Sequence, residues 1–193
     1  AVMFVWLWFI NLFNFMDGID GIAGVQAAAI VIGVAVVASA GGLATIHTVF
    51  GMAAAATALG FLMWNWPPAK IFMGDVGSVG FGYLLGWLLL VLAANGQWAA
   101  ALILPMYFVA DATITLGRRA LARQALWQAH RDHFYQRAAA AVGDHGAITR
   151  AVMTGQVGLV ILAGFVAVVP GSEISGVTAA AVLVAALLWY LRR

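Results

Sequence analysis

Cysteine is absent from the 193 residues. The chain therefore has no disulfide, thiolate nucleophile or cysteine-ligated metal. Charge is nearly as scarce, with Asp, Glu, Lys and Arg making up 8% of the sequence. No basic run carries interleaved aromatics, so the isoelectric point near 9.4 does not point to nucleic acid. The sequence opens on Ala1, without an initiator methionine, a basic leader or a cleavage signal. No internal repeat, low-complexity linker or second domain is visible.

Apolar residues fill the space. They make up 65% of the chain, and the mean hydropathy is +1.01. A soluble domain of this length cannot hide that much apolar surface. We expect an all-α integral membrane protein, a polytopic helical bundle forming one domain over residues 1–193. The first apolar run, Ala1 to Phe13, covers roughly 20 Å as a helix, short of a hydrocarbon core of about 30 Å. It reads as a truncated N-terminal helix, and the chain as the C-terminal part of a longer protein. About six complete spans follow: Ile22–Ala40, Leu43–Met63, Val76–Ala94, Trp98–Leu116, Ala151–Val169 and Gly176–Leu191. The runs are continuous and do not alternate, which excludes barrel strands.

Charge sets the orientation. If the loop at residues 14–21 lies on side one, alternation puts the loops at about 65–75 and 117–150, and the C-terminus, on the same side. All nine basic residues then fall on side one: Lys70, Arg118, Arg119, Arg123, Arg131, Arg137, Arg150, Arg192 and Arg193. The positive-inside rule makes side one the cytoplasm. Asp17, Asp20, Asp75, Asp132, Asp144, His130 and His133 share that side, and Glu173 is the one carboxylate opposite. A transporter keeps ionisable groups near the midplane. Here they gather at one face, which suits a reaction between a water-soluble substrate and a lipid head group.

Three polar constellations stand on that face. The first is Asn14-Phe-Met-Asp17-Gly18-Ile19-Asp20-Gly21. If helical, residues 14, 17 and 20 share one face beside a stripe of glycines. Hard oxygen ligands at this density suit Mg²⁺ and a diphosphate; the alternative is a capped polar helix end. The second is Asn65-Trp-Pro-Pro-Ala-Lys70-Ile-Phe72-Met-Gly-Asp75. Pro67 and Pro68 stop one helix, Lys70 offers a charge for phosphate, and Asp75 either caps the next helix or binds a metal. Phe72 is read as a stacking platform or an interface anchor. The third is His130-Arg131-Asp132-His133-Phe-Tyr-Gln-Arg137. As a helix it would put both imidazoles on one face. Phosphate binding and a basic segment lying on anionic lipid both remain open for it, and zinc lacks enough local ligands. Asp111, inside a span, is either a site residue or a structural charge paired with Arg118 or Arg119. His47 and His145 receive no role.

Together NLFNFMDGIDGIAG, WNWPPAKIFMGDVGSVGFG and AHRDHFYQR resemble the three C-terminal signatures of the polyprenyl-phosphate N-acetylhexosamine-1-phosphate transferases, the MraY/WecA-like family (glycosyl transferase group 4). The form of the third motif is closest to the O-antigen-initiating branch. The resemblance implies transfer of an N-acetylhexosamine-1-phosphate from a UDP-sugar, GlcNAc or a related amino sugar, to undecaprenyl phosphate, with release of UMP. It implies Mg²⁺, with Mn²⁺ as an alternative, in a bacterial inner membrane with the active site on the cytoplasmic face; a homodimer is left open. Asp17, Asp20, Asp75, His130 and His133 take catalytic positions by this resemblance, with Asp75 and Asp20 at the metal. Asn14, Gly18, Ile19, Asn65, Lys70, Phe72 and Arg131 take substrate-binding positions.

One departure bears on activity. The family carries an adjacent aspartate pair on an earlier cytoplasmic loop, and no Asp-Asp occurs here. We expect the 193-residue chain alone to be inactive and a longer parent to be the enzyme. Two competing readings are a transporter or flippase for an anionic or lipid-linked solute, and a non-catalytic remnant.

Overall fold

The computed structural model describes residues 2–41, 45–125, 128 and 130–192, without the side chains of 45–48. Ala1, Leu43, Arg193 and the His47 side chain, which enter the expectations above, lie outside the described residues. Among the described residues there are nine helices and no strand. In order they are α1 (Val2–Phe15), α2 (Ile22–Ala40), α3 (Thr45–Asn65), α4 (Gly74–Ala94), α5 (Trp98–Ile103), α6 (Met106–Leu121), α7 (Phe134–Val142), α8 (His145–Val168) and α9 (Glu173–Leu191).

Four of these, α2, α4, α8 and α9, are long and apolar enough to cross a membrane; α1 and the Val49–Asn65 part of α3 are shorter apolar helices. The protein is an all-helical, multi-pass membrane protein. Helix α2 is its centre, packed by α3, α8 and α4. Of its apolar window 72% is buried inside the protein, against 28% for α9, which leaves most of its surface to lipid. Alanines and glycines make α2 slim, so its neighbours approach closely and gain van der Waals contact without a hydrophobic drive.

The run Trp98–Leu116 is not one continuous helix. Pro105 has no N–H to continue the helical ladder, and the chain turns at Leu104 and Pro105, dividing α5 from α6. The break lies in the core and is held there by two buried glutamines. Gln26 Nε2 donates to the Leu104 carbonyl at 3.2 Å, and Gln156 donates to Gln26 Oε1. Hydropathy alone cannot register such a break, since every residue around it is apolar.

The loop boundaries shift as well. Helix α1 runs to Phe15, so residues 16–21 form a turn and residues 14, 17 and 20 do not share a helix face. The third loop keeps the last turn of α6, the whole of α7 and the start of α8. His130 and His133 precede α7, so their expected helical face does not form either.

Candidate functional site

The α1–α2, α3–α4 and α6–α8 connections meet at one end of the bundle, and side chains stitch them together. Asn65, only 2% exposed, spends its amide on two loops: Oδ1 accepts from Gly21 N–H at 3.0 Å, and Nδ2 donates to the Ile71 carbonyl at 2.8 Å. Gly21 has φ +79°, a left-handed conformation that glycine adopts without steric cost. Asp20 Oδ2 accepts from Ala69 N–H at 3.0 Å, while Oδ1 lies 3.4 Å from His145 Nδ1. Thr149 Oγ1 donates to the Asp20 carbonyl at 2.7 Å. Asn65 and Asp20 entered as ligand groups; both are engaged in holding the loops in register.

A cavity of about 390 Å³ opens between these loops. It is lined by Asn14, Asp17, Gly18, Ile19, Asp20, Asn65, Phe72, Gly74, Asp75 and His145. Eight residues singled out in the first two motifs thus share one wall. Asp75 stands exposed in the first turn of α4 and makes no hydrogen bond or ion pair with a described residue. Asn14 accepts from the Ser78 hydroxyl, which leaves its NH₂ group free to donate into the cavity. Burial pushes the Asp17 carboxyl up from 3.8 to about 6, since no cation sits beside it to offset the lost water. Phe72, 75% exposed, forms the rim.

A second cavity of about 480 Å³ shares Gly18, Ile19 and His145 with the first. Its far wall carries Arg131, Gln136 and Arg137. The two lobes differ in sign: carboxylates line one, guanidinium groups the other, and His145 stands at the junction. Sequence reasoning gave His145 no role, and named Gln136 and Arg137 only as part of the third motif. For His145 the only signal was its place at the start of a helix after the third motif.

Helix α7 is fixed from below by Asp111 of α6, which has no exposed surface. Its carboxylate accepts from the backbone N–H groups of Phe134 at 3.1 Å and Tyr135 at 3.4 Å, and lies 3.1 Å from His133 Nδ1. Thr115 Oγ1 also donates to it, at 3.2 Å. A carboxylate from another helix thus caps the N-terminus of α7. Arg118 and Arg119 are not its partners. Arg118 stacks over the Phe134 ring at 4.7 Å, and Arg119 pairs with Asp132.

The histidines of the third motif line neither cavity. His133 is 2% exposed and engaged with Asp111; a phosphate contact by this ring does not fit its burial. The His130 ring packs against His133 at a tilt of 32°, 5.0 Å between ring centres. Burial, then Arg119 and His133, lower its pKa, with Asp132 opposing. Lys70 also stays out of the cavities; its Nζ lies 5.5 Å over the Trp64 ring.

Among the described residues no three His, Asp or Glu side chains converge to hold a metal by themselves. Mg²⁺ keeps waters and takes one or two carboxylates plus substrate phosphates, so it does not need such a cage. The unpartnered Asp75 carboxylate and the poorly solvated Asp17 carboxylate fit that half-shell. Asp20 fits it less well, since both of its oxygens are engaged.

Comparison with known proteins adds the family. Residues 1–93 match the family model described as Glycosyl transferase family 4. The chain is 33% identical over 138 residues to the probable undecaprenyl-phosphate N-acetylglucosaminyl 1-phosphate transferase of Bacillus subtilis (strain 168), covering 68% of this chain and 38% of that protein. It is 36% identical over 118 residues to the phospho-N-acetylmuramoyl-pentapeptide-transferase of Streptococcus thermophilus (strain CNRZ 1066), covering 60% of this chain and 34% of that protein. The chain thus spans little more than a third of the length of these curated relatives.

Proposed function

The chain belongs to the polyprenyl-phosphate hexosamine-1-phosphate transferase family, and from that premise we propose that it forms the nucleotide–diphosphate site of such an enzyme. The donor is a UDP-N-acetylhexosamine, GlcNAc or a related amino sugar, and the acceptor is undecaprenyl phosphate. An oxygen of the lipid phosphate attacks the β-phosphorus. The bond from that phosphorus to the bridging oxygen breaks, and UMP leaves with the electron pair. The product is a lipid diphosphate sugar that initiates surface polysaccharide synthesis of the O-antigen type. The site lies on the cytoplasmic face of the inner membrane.

The observation that carries this reading is the two-lobed cavity, with an unpartnered Asp75 in one lobe and Arg131 and Arg137 in the other. Asp75 and Asp17 would hold Mg²⁺, with Mn²⁺ as a substitute. When bound, the cation spreads the negative charge that builds up on the diphosphate. Asn14 donates a hydrogen bond from its NH₂ group to the nucleotide, and Arg131 and Arg137 draw the anionic groups into the second lobe. Phe72 covers the base at the rim. Asp20 and Asn65 hold the walls at fixed spacing, and His145 separates the lobes. No strong base is required, because a phosphate acceptor already carries charge at neutral pH.

A transporter reading finds no support of its own. Asp111, its one ionisable candidate within a span, is consumed in capping α7. The 193-residue chain by itself is proposed to be inactive. The test is UMP release by membranes carrying the longest reading frame that contains this chain, with undecaprenyl phosphate, Mg²⁺ and a panel of UDP-sugars. Release that requires lipid and metal supports the proposal, and the best sugar names the donor. No release with any sugar from a folded protein overturns it.

A further inference from the structure

Helices α6 and α9 end in arginines at the same end of the bundle, and between them runs an apolar groove of about 370 Å³. Ala110 and Ile114 of α6, Ala181 and Ala185 of α9, Phe134 and Trp189 are part of its wall. Three of these are alanines, and such short side chains leave room between two helices that otherwise touch. From Met106 to Arg118 the wall on α6 runs about 18 Å along the helix, deep enough for much of one acyl chain.

The groove has one charged end. Arg118 and Arg192 line it there, both exposed, and neither makes an ion pair with a described residue. Arg119 and Arg150, outside the groove, are paired with Asp132 and Asp144. The Arg118 guanidinium is held 4.7 Å over the Phe134 ring, whose own N–H is fixed by Asp111. One cation is therefore pre-positioned where an apolar slot reaches the membrane surface. The groove shares no lining residue with either polar cavity.

We propose that this groove is an accessory binding site for one anionic phospholipid of the adjacent leaflet. An acyl chain fills the slot between α6 and α9, and the headgroup phosphate lies between Arg118 and Arg192. A zwitterionic lipid brings its own ammonium group to the same pair of guanidiniums, which cancels the attraction. The inference requires only that the bundle sits in a membrane; it stands or falls separately from the proposed transfer reaction.

Trp189 supplies the readout. The chain is placed in phosphatidylcholine vesicles that contain brominated-chain phosphatidylglycerol or, at equal mole fraction, brominated-chain phosphatidylcholine. The Trp189 signal is taken as the difference between the chain and its Trp189→Phe variant. The proposal predicts half-quenching at a mole fraction of brominated phosphatidylglycerol roughly tenfold lower than of brominated phosphatidylcholine. The double variant Arg118→Gln, Arg192→Gln loses that preference while keeping its helical circular dichroism. The double variant Arg118→Lys, Arg192→Lys keeps it, which separates charge from folding. Equal quenching by the two lipids overturns the proposal, as does a preference that survives in the glutamine variant. Relief of quenching by a polyprenyl phosphate but not by unlabelled phosphatidylglycerol overturns it too.

Discussion

His133 Nδ1 lies 3.1 Å from Asp111 Oδ1, and both side chains are all but closed to solvent. The same carboxylate receives the first two N–H groups of α7. Asp111 thereby ties the polar third motif to a membrane helix 22 residues earlier in the sequence. Asp111→Ala leaves several buried donors without an acceptor. Each buried donor left without an acceptor costs about 1–3 kcal/mol. We predict that this variant melts earlier and that α7 opens, so that trypsin cuts faster after Arg131 and Arg137, which are exposed already but held in a folded segment. Unchanged proteolysis would show that α7 is held by something else.

Gly18 carries a second link between motifs. A Cβ there would meet Gln136 Nε2 and the Tyr135 hydroxyl, each at 2.5 Å. The φ of Gly18 is not left-handed, so alanine fits the local backbone and the clash lies wholly with α7. Gly18→Ala is predicted to cost about 1–3 kcal/mol and to lift α7 from the first loop. Reduced nucleotide binding at near-normal expression is the expected readout.

Asn65→Leu removes both bonds of the loop brace. It orphans the Gly21 N–H and the Ile71 carbonyl, at about 1–3 kcal/mol for each group left without water. We expect a lower midpoint in thermal unfolding and weaker nucleotide binding. An unaltered midpoint would remove the brace from the account.

Asp17 makes stability depend on pH with a definite sign. Burial raises its folded-state pKa from 3.8 to about 6, so ionisation costs folding stability. The cost is absent below the unfolded value, grows as pH rises between the two values, and is constant above about 6. Asp17→Asn removes it. In the absence of divalent cation, the variant should melt above the wild type at neutral pH and match it near the ordinary carboxylate range. Added Mg²⁺ should narrow the neutral-pH gap by stabilising the wild type alone. A gap independent of pH would contradict this assignment.

Much of the architecture was legible because lipid leaves a coarse imprint on sequence. Apolar runs, one-sided arginines and three polar motifs identified a multi-pass helical protein of the right family. They also put Asp17, Phe72 and Asp75 on one side of the membrane, and the folded chain brings the three around one cavity. The break at Pro105 was not legible, because its support comes from Gln26 and Gln156 on other helices. The roles of Asp111, His133 and His145 were hidden for the same reason. Their partners are remote in sequence, and local spacing favoured a helix where the chain forms a turn. Asp20 and Asn65 look like ligand groups in a motif, and only three-dimensional contacts reveal that backbone groups already claim them.

The central claim is that the first lobe is a cation–diphosphate site in which Asp75 holds the metal and Asp20 holds the loops. Its most direct test is Mn²⁺ binding in the presence of UDP, read by electron paramagnetic resonance on the purified protein and on its Asp75→Asn and Asp20→Asn variants. The account predicts UDP-dependent loss of the free Mn²⁺ signal in the parent, no such loss in Asp75→Asn, and retention of much of it in Asp20→Asn. Binding in Asp75→Asn equal to that of the parent would contradict it.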